Sequence, residues 1–170
     1  MEFLVQDLSD IVRSQLHYVF LWNDIVSAQT DATVSSRLVE LQARIGDSCR
    51  KCFEGHDATP SHLQEDVQST VESLGYECEA EARDAVTGYS IDILVKGGGV
   101  KGTAVEVDGP SHFIQHSTKR EPNGPTKFKR KALEKAGYRV VSVPFWEWNS
   151  CAGREERKRY IAGVLTQGQC

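Results

Sequence analysis

Glu106 and Asp108 stand two residues apart inside the otherwise apolar run Ala104-Val105-Glu106-Val107-Asp108. Strand side chains alternate faces, so these two carboxylates point the same way. Upstream, Tyr89-Ser90-Ile91-Asp92-Ile93-Leu94-Val95 reads as a second strand, with Ile91, Ile93 and Val95 on one face and Asp92 on the other. Half-buried carboxylates repel each other and lose hydration, so a cluster of Asp92, Glu106 and Asp108 requires a metal cation, a basic partner or protons held at raised pKa. In the competing reading Asp92 closes a turn, and Glu106 and Asp108 lie at a solvated sheet edge.

A basic partner is available downstream. Helical spacing puts Lys129 in the middle of the arc formed by Phe128, Ala132, Leu133 and Ala136, where a lysine snorkels or meets an acid. The helix is expected to aim Lys129 at Asp92, Glu106 and Asp108, with Lys127, Arg130 and Lys131 left outside to contact phosphates. Acids that hold Mg²⁺ or Mn²⁺, beside a lysine that stabilises developing charge, are what metal-assisted phosphodiester hydrolysis needs. His112, just past the strand, reads equally as a proton donor or substrate contact and as a packed or capping histidine. His116, in the following loop, reads as incidental.

The elements that must position these groups follow from periodicity. Leu4 to Trp22 and Val34 to Phe53 carry helical apolar spacing, with a linker near Gly55 to Pro60. A helix follows from Ser61, capped by Thr59 or by a Ser61/Gln64 box, with the stripe Leu63, Val67, Val71 and Leu74 and a stop at Gly75. On it Asp66 is better placed than Glu65 to face the acids, although a solvated first-turn acid is the simpler reading. Strands are expected at Glu77 to Arg83, Tyr89 to Val95 and Thr103 to Asp108. Next come a polar loop, a helix from a Thr126 cap to Ala136, a strand from Arg139 to Val143 and a helix from Arg154 to Leu165. The order helix, three strands, helix, strand, helix builds a mixed sheet flanked by helices. The expected division is a helical pair over 1–58 and an α/β core over 59–170.

Composition narrows the partners. The 170 residues include 20 Lys and Arg against 24 Asp and Glu, a formal net charge of −4, so any nucleic-acid contact must come from a local patch. The candidates are Lys119 and Arg120 with Lys127, Arg130 and Lys131, or the Arg154 to Arg159 run; both also read as solvated helix faces. No apolar run approaches the ~20 residues of a membrane-spanning helix. Five scattered cysteines do not form a disulfide framework, and Cys49, Cys52, His56 and His62 lack the second tight pair of a zinc site. With Glu2, Asp7 and Asp10 the start is neither a signal nor an acid-poor transit peptide, so either the mature protein lacks that address or the chain is an excised portion of a longer one.

From about Ser61 to Leu165 the chain resembles a RAP domain, the RNA-associated module of apicomplexan organellar proteins and of mitochondrial FAST-kinase-domain proteins. The resemblance rests on Gly88-Tyr89-Ser90-Ile91-Asp92-Ile93, Glu106-Val107-Asp108-Gly109-Pro110-Ser111-His112-Phe113, the Gly124 to Lys127 turn, Lys129-Arg130-Lys131-Ala132-Leu133, Gly137-Tyr138-Arg139-Val140-Val141 and Val143-Pro144-Phe145-Trp146-Glu147-Trp148. It implies a restriction-endonuclease-like, PD-(D/E)XK core similar to very short patch repair endonucleases, with Asp92 and Glu106 in the two acidic positions. Asp108 stands where that pattern has a lysine, so hydrolysis requires Lys129 or another base in that role. The resemblance also implies RNA as partner, a mitochondrion or other organelle as location, and an upstream helical-repeat region in the full-length protein. Two functions follow: an RNA-binding domain that is also a metal-dependent endoribonuclease, or a non-catalytic RNA-binding or scaffold module; in the second, Trp146 and Trp148 read first as core or cap residues and, where exposed, as residues that stack on bases.

Overall fold

Alternating apolar and polar residues from Cys78 to Asp108, broken at Gly88 and Gly97, commit this stretch to three short strands. The computed structural model describes residues 8–27, 36–55, 60–97, 100–115 and 119–166. They form helices α1 (Asp10–Ser27), α2 (Ser36–Glu54) and α3 (His62–Ser73), strands β1 (Cys78–Arg83), β2 (Ser90–Val95) and β3 (Thr103–Asp108), then α4 (Gly124–Lys135), β4 (Arg139–Pro144), α5 (Phe145–Ser150) and α6 (Arg154–Thr166). The chain divides into two compact units, Met1–Asp57 and Ala58–Cys170.

In the first unit the amphipathic helices α1 and α2 pack through Phe20, Ile45 and Cys49, flanked by Leu8, Leu16, Leu38 and Leu41. Gln42 on α2 donates to Asp24 on α1 at 3.0 Å. Cys49, Cys52, Cys78 and Cys151 are free thiols; His56, named above with the first two, lies outside the described residues, as does His116.

The second unit is built on a four-stranded mixed sheet of order β1-β2-β3-β4. β1 pairs antiparallel with β2 and β2 with β3, while β4 returns through α4 to lie parallel to β3. Gly102, with φ +114°, closes the β2–β3 connection; a Cβ there would stand 2.8 Å from the Val95 carbonyl oxygen, so only glycine fits.

Alternate β3 side chains serve two different surfaces. Val105 and Val107, with Ile93, Val95 and Val143, join Val67 and Val71 of α3 and Ile161 and Leu165 of α6 in the main core. Glu106 and Asp108 turn to the opposite face, toward α4, and all six residues of β3 are buried. Trp148 of α5 is 1% exposed, and its indole N–H donates to Asp66 at 3.1 Å. Asp66 also receives Arg157 at 2.5 Å while its side chain stays 46% exposed, so it remains a solvated acid early in α3, paired with Trp148 and Arg157 rather than with the acidic cluster. The indole needs an acceptor once buried, and the α3 carboxylate supplies it.

Two starts differ from expectation. The α4 cap is Asn123, whose side-chain oxygen accepts from the Thr126 N–H at 3.0 Å, because Pro125 suits the first helical turn and moves the start ahead of Thr126. Phe145–Ser150, left without an element by the periodicity, forms the short α5 directly from the end of β4.

Candidate functional site

Asp92, Glu106 and Asp108 do face the same side of the sheet, yet the structure sorts them into two sets. Lys129 Nζ lies 2.5 Å from Glu106 Oε2 and 3.5 Å from Asp92 Oδ1. The other Asp92 oxygen accepts the Val107 backbone N–H at 2.7 Å, which ties the acid to the neighbouring strand. The Lys129 side chain is 19% exposed and that of Glu106 is 3% exposed, so this set is largely withdrawn from water.

Asp108 belongs to the second set. It meets Arg130 at 2.5 Å, accepts the Ser142 hydroxyl of β4, and lies 3.1 Å from His112 Nδ1. Arg130 also donates to Ser142 at 2.9 Å. Lys129 therefore does not reach Asp108 as expected, and Arg130, expected outside among the phosphate contacts, turns inward. Residues adjacent on a helix point about 100° apart, and a fully buried carboxylate without a counter-charge is costly, so the second inward cation is drawn to the second acid.

Charge counting accounts for the titration behaviour. Burial pushes the Asp92 and Glu106 carboxyls up against the opposing pull of Lys129, with Glu106 reaching about 7. One ammonium cannot neutralise two buried carboxylates, so one of them retains affinity for a proton. Burial pulls the Lys129 ammonium down, but the charges of Glu106 and Asp92 outweigh it and hold it above the usual lysine value. Burial also pushes Asp108 up, but the His112 and Ser142 hydrogen bonds and the Arg130 charge overcome this and leave it below the usual range. The Asp108 bond raises the His112 imidazole, favouring its charged form.

Two neighbours escaped sequence reasoning. Gln64 of α3 is buried and donates to Glu81 at 2.7 Å and to the Asp92 backbone oxygen at 3.0 Å. Glu81, at φ +50°, also accepts the Ser90 hydroxyl at 2.5 Å, and its charge adds to the upward push on Asp92. In sequence, Glu79 and Glu81 alternate with alanines and read as a solvated face; no local signal announces the left-handed backbone that turns Glu81 toward Gln64.

The donor chemistry suits a hard divalent cation at Asp92 and Glu106. Mg²⁺ takes one or two carboxylates and keeps several waters, and Glu106 Oε1 is buried without a hydrogen-bond partner. Lys129 competes for the same oxygens, and Asp108 is committed elsewhere. Among the described residues no group of three or more His, Cys, Asp or Glu is arranged to hold a metal ion.

The remaining cations lie outside these sets. Lys127 and Lys131, one turn apart on α4, are exposed, as are Lys119 and Arg120. Arg120 lies over the Trp146 ring at 4.9 Å. Among the described residues no helix is long and apolar enough to cross a membrane.

Residues 105–164 match the RAP domain family. Over 105 residues the chain is 32% identical to a protein of Oryza sativa subsp. japonica named RAP domain-containing protein, chloroplastic; the alignment takes in 62% of this chain and 15% of that protein. The chain thus spans a small part of the length of the relative it matches.

Proposed function

We propose, from the premise that this chain carries a RAP domain at residues 105–164, that it is an RNA-binding module of an organellar RNA-processing protein. Glu106, Asp108, His112, Lys129 and Arg130 all fall inside that span. One observation carries the reading. Lys129 and Arg130 take up the charge of the buried acids within the fold, while Lys127, Lys131, Lys119 and Arg120 are exposed and form a local basic surface suited to a polyanion despite the net charge of −4. The organellar setting follows the printed name of the rice relative, which assigns that protein to the chloroplast; for this chain chloroplast and mitochondrion both fit. A longer parent chain agrees with the small share of the relative that is aligned; an upstream helical-repeat region in it is what the family resemblance implies.

Three antiparallel-linked strands, a helical crossover and a parallel fourth strand, with acids at the Asp92 and Glu106 positions, support a restriction-endonuclease-like core. Glu106 Oε1, buried and unpartnered, favours a second reading as a metal-dependent endoribonuclease. In that reading Asp92 and Glu106 hold Mg²⁺ or Mn²⁺. The cation, when bound, supplies an activated water and polarises the scissile phosphate. Lys129 offsets developing charge, and His112, oriented by Asp108, donates a proton.

The test is incubation of labelled single-stranded RNA with the chain, with and without Mg²⁺ or Mn²⁺, beside Glu106→Ala. Retention of RNA without divalent ions supports the binding module, and absence of retention rejects it. Metal-dependent cleavage that disappears in Glu106→Ala supports the nuclease.

A further inference from the structure

We propose that the Trp146 ring is a stacking platform for one unpaired nucleobase of single-stranded RNA, covered in the free protein by the Arg120 guanidinium; the inference rests on the RNA-binding reading above. The two tryptophans of α5 have divided their tasks. Trp148 is 1% exposed with its indole N–H bonded to Asp66, and so belongs to the core. Trp146 is only half-buried, and its contacts among the described residues are aromatic and cationic rather than the buried hydrogen bond that anchors Trp148.

Two edge-on aromatic contacts set the plane of Trp146. Phe113 meets it at 4.3 Å between centroids and 61°, and Phe145 at 5.2 Å and 77°. Such packing holds an indole rigid. The register pairs Asp108 with Pro144, so Trp146 lies two residues beyond the strand position beside Asp108, and Phe113 follows His112 directly. The platform therefore adjoins the second set of site residues.

The occupant of the ring is informative. Arg120 places a planar cation 4.9 Å above the centroid. Its φ of +50° lies in the left-handed region that side chains of this size seldom adopt. The surrounding loop enforces it: the Ile114 N–H donates to the Glu121 carbonyl at 2.9 Å, the Asn123 N–H donates to the His112 carbonyl at 2.9 Å, and Phe113 bridges to Pro122. An unusual backbone that serves to hold a guanidinium over an aromatic face is a reason to look for function there.

Magnitudes favour exchange. An exposed cation–π contact is worth about two- to fivefold in an equilibrium, whereas a base stacked on an aromatic ring is worth about 5- to 150-fold in affinity. A base therefore displaces Arg120, and the freed guanidinium remains beside the phosphates. Every base has a π face, so the platform adds affinity for unpaired strands with little sequence preference.

The experiment measures fluorescence anisotropy of a labelled single-stranded RNA and of an abasic ribose-phosphate oligomer of equal length. The expected result is that the wild-type chain binds the base-bearing strand more tightly than the abasic one, by up to about 75-fold once the two- to fivefold Arg120 contact is deducted. Trp146→Ala abolishes this preference with abasic binding unchanged, which also reports an intact fold, and Trp146→Phe keeps most of it. Equal binding of the two oligomers by the wild type overturns the proposal and leaves RNA binding standing, and so does a Trp146→Ala chain that keeps the preference. If Trp146→Ala does not fold, the wild-type comparison and Trp146→Phe still decide. Binding of neither oligomer by the wild type rejects the RNA reading and the platform together.

Discussion

Glu106 and Lys129 meet at 2.5 Å in a largely buried contact, and the same ammonium lies 3.5 Å from Asp92. One cation thus serves two acids. The arrangement is stable only while the surplus negative charge is small, which ties the site to protons and to the integrity of α4.

Stability should depend on pH through Glu106. Its carboxyl rises from 4.5 to about 7 in the folded chain, so the folded state holds a proton that the unfolded state releases. The contribution is present below about 4.5 and is lost as pH rises through about 7. His112 is raised as well and shifts stability in the same direction, so the readout is the difference from Glu106→Gln. Urea denaturation from pH 4.5 to 8 should show the wild type losing stability relative to the variant; parallel profiles would reject the surplus-charge account.

Replacing Lys129 should expose the same imbalance more sharply. Lys129→Met leaves Asp92 and Glu106 without their shared cation, at a cost of about 3–5 kcal/mol near pH 8 for an uncompensated buried charge. The loss should shrink near pH 5, where Glu106 takes up a proton. Millimolar Mg²⁺ should restore part of it if those oxygens accept a metal. Thermal melts with Mg²⁺ and with chelator separate the outcomes, and an unchanged melting temperature in the variant is the unfavourable one.

Arg130 and Asp108 should behave as a unit. Arg130→Gln should cost about 3–5 kcal/mol, since Asp108 stays buried at 0% exposure with only His112 and Ser142 beside it. Adding Asp108→Asn should recover most of that loss. A double-mutant cycle from denaturant midpoints reads the coupling, and additive losses would count against a direct pair.

The exposed lysines should govern salt dependence. Each single-strand phosphate contact contributes about 0.7 to the log–log salt slope, so Lys127→Glu with Lys131→Glu should flatten it by about 1.4. Arg130→Gln, measured where it remains folded, should leave the slope unchanged because that guanidinium is spent on Asp108. Titrations between low and moderate salt check both statements.

Much of this site was legible because strand alternation is local. Glu106 and Asp108 had to share a face, Asp92 had to oppose Ile91 and Ile93, and Lys129 stood in an apolar arc where a cation needs an acid. Arg130 was misassigned for the complementary reason. Its helical position reads as peripheral, and only the burial of Asp108 under α4, a tertiary fact, draws it inward. Asn123 displaced Thr126 as the cap because Pro125 is compatible with either start. The turn of Glu81 toward Gln64 depends on one left-handed residue inside a strand, which nothing in the composition marks. α5 was missed because six residues are too few for periodicity to speak.

The pairing of Asp108 with Arg130 also constrains descent. A lysine at position 108, as the nuclease pattern has it, would face the guanidinium at close range in a dry setting, where like charges repel strongly. Either substitution alone should be costly, so the two positions should change together across relatives: acid with arginine, or lysine with a neutral residue on the helix.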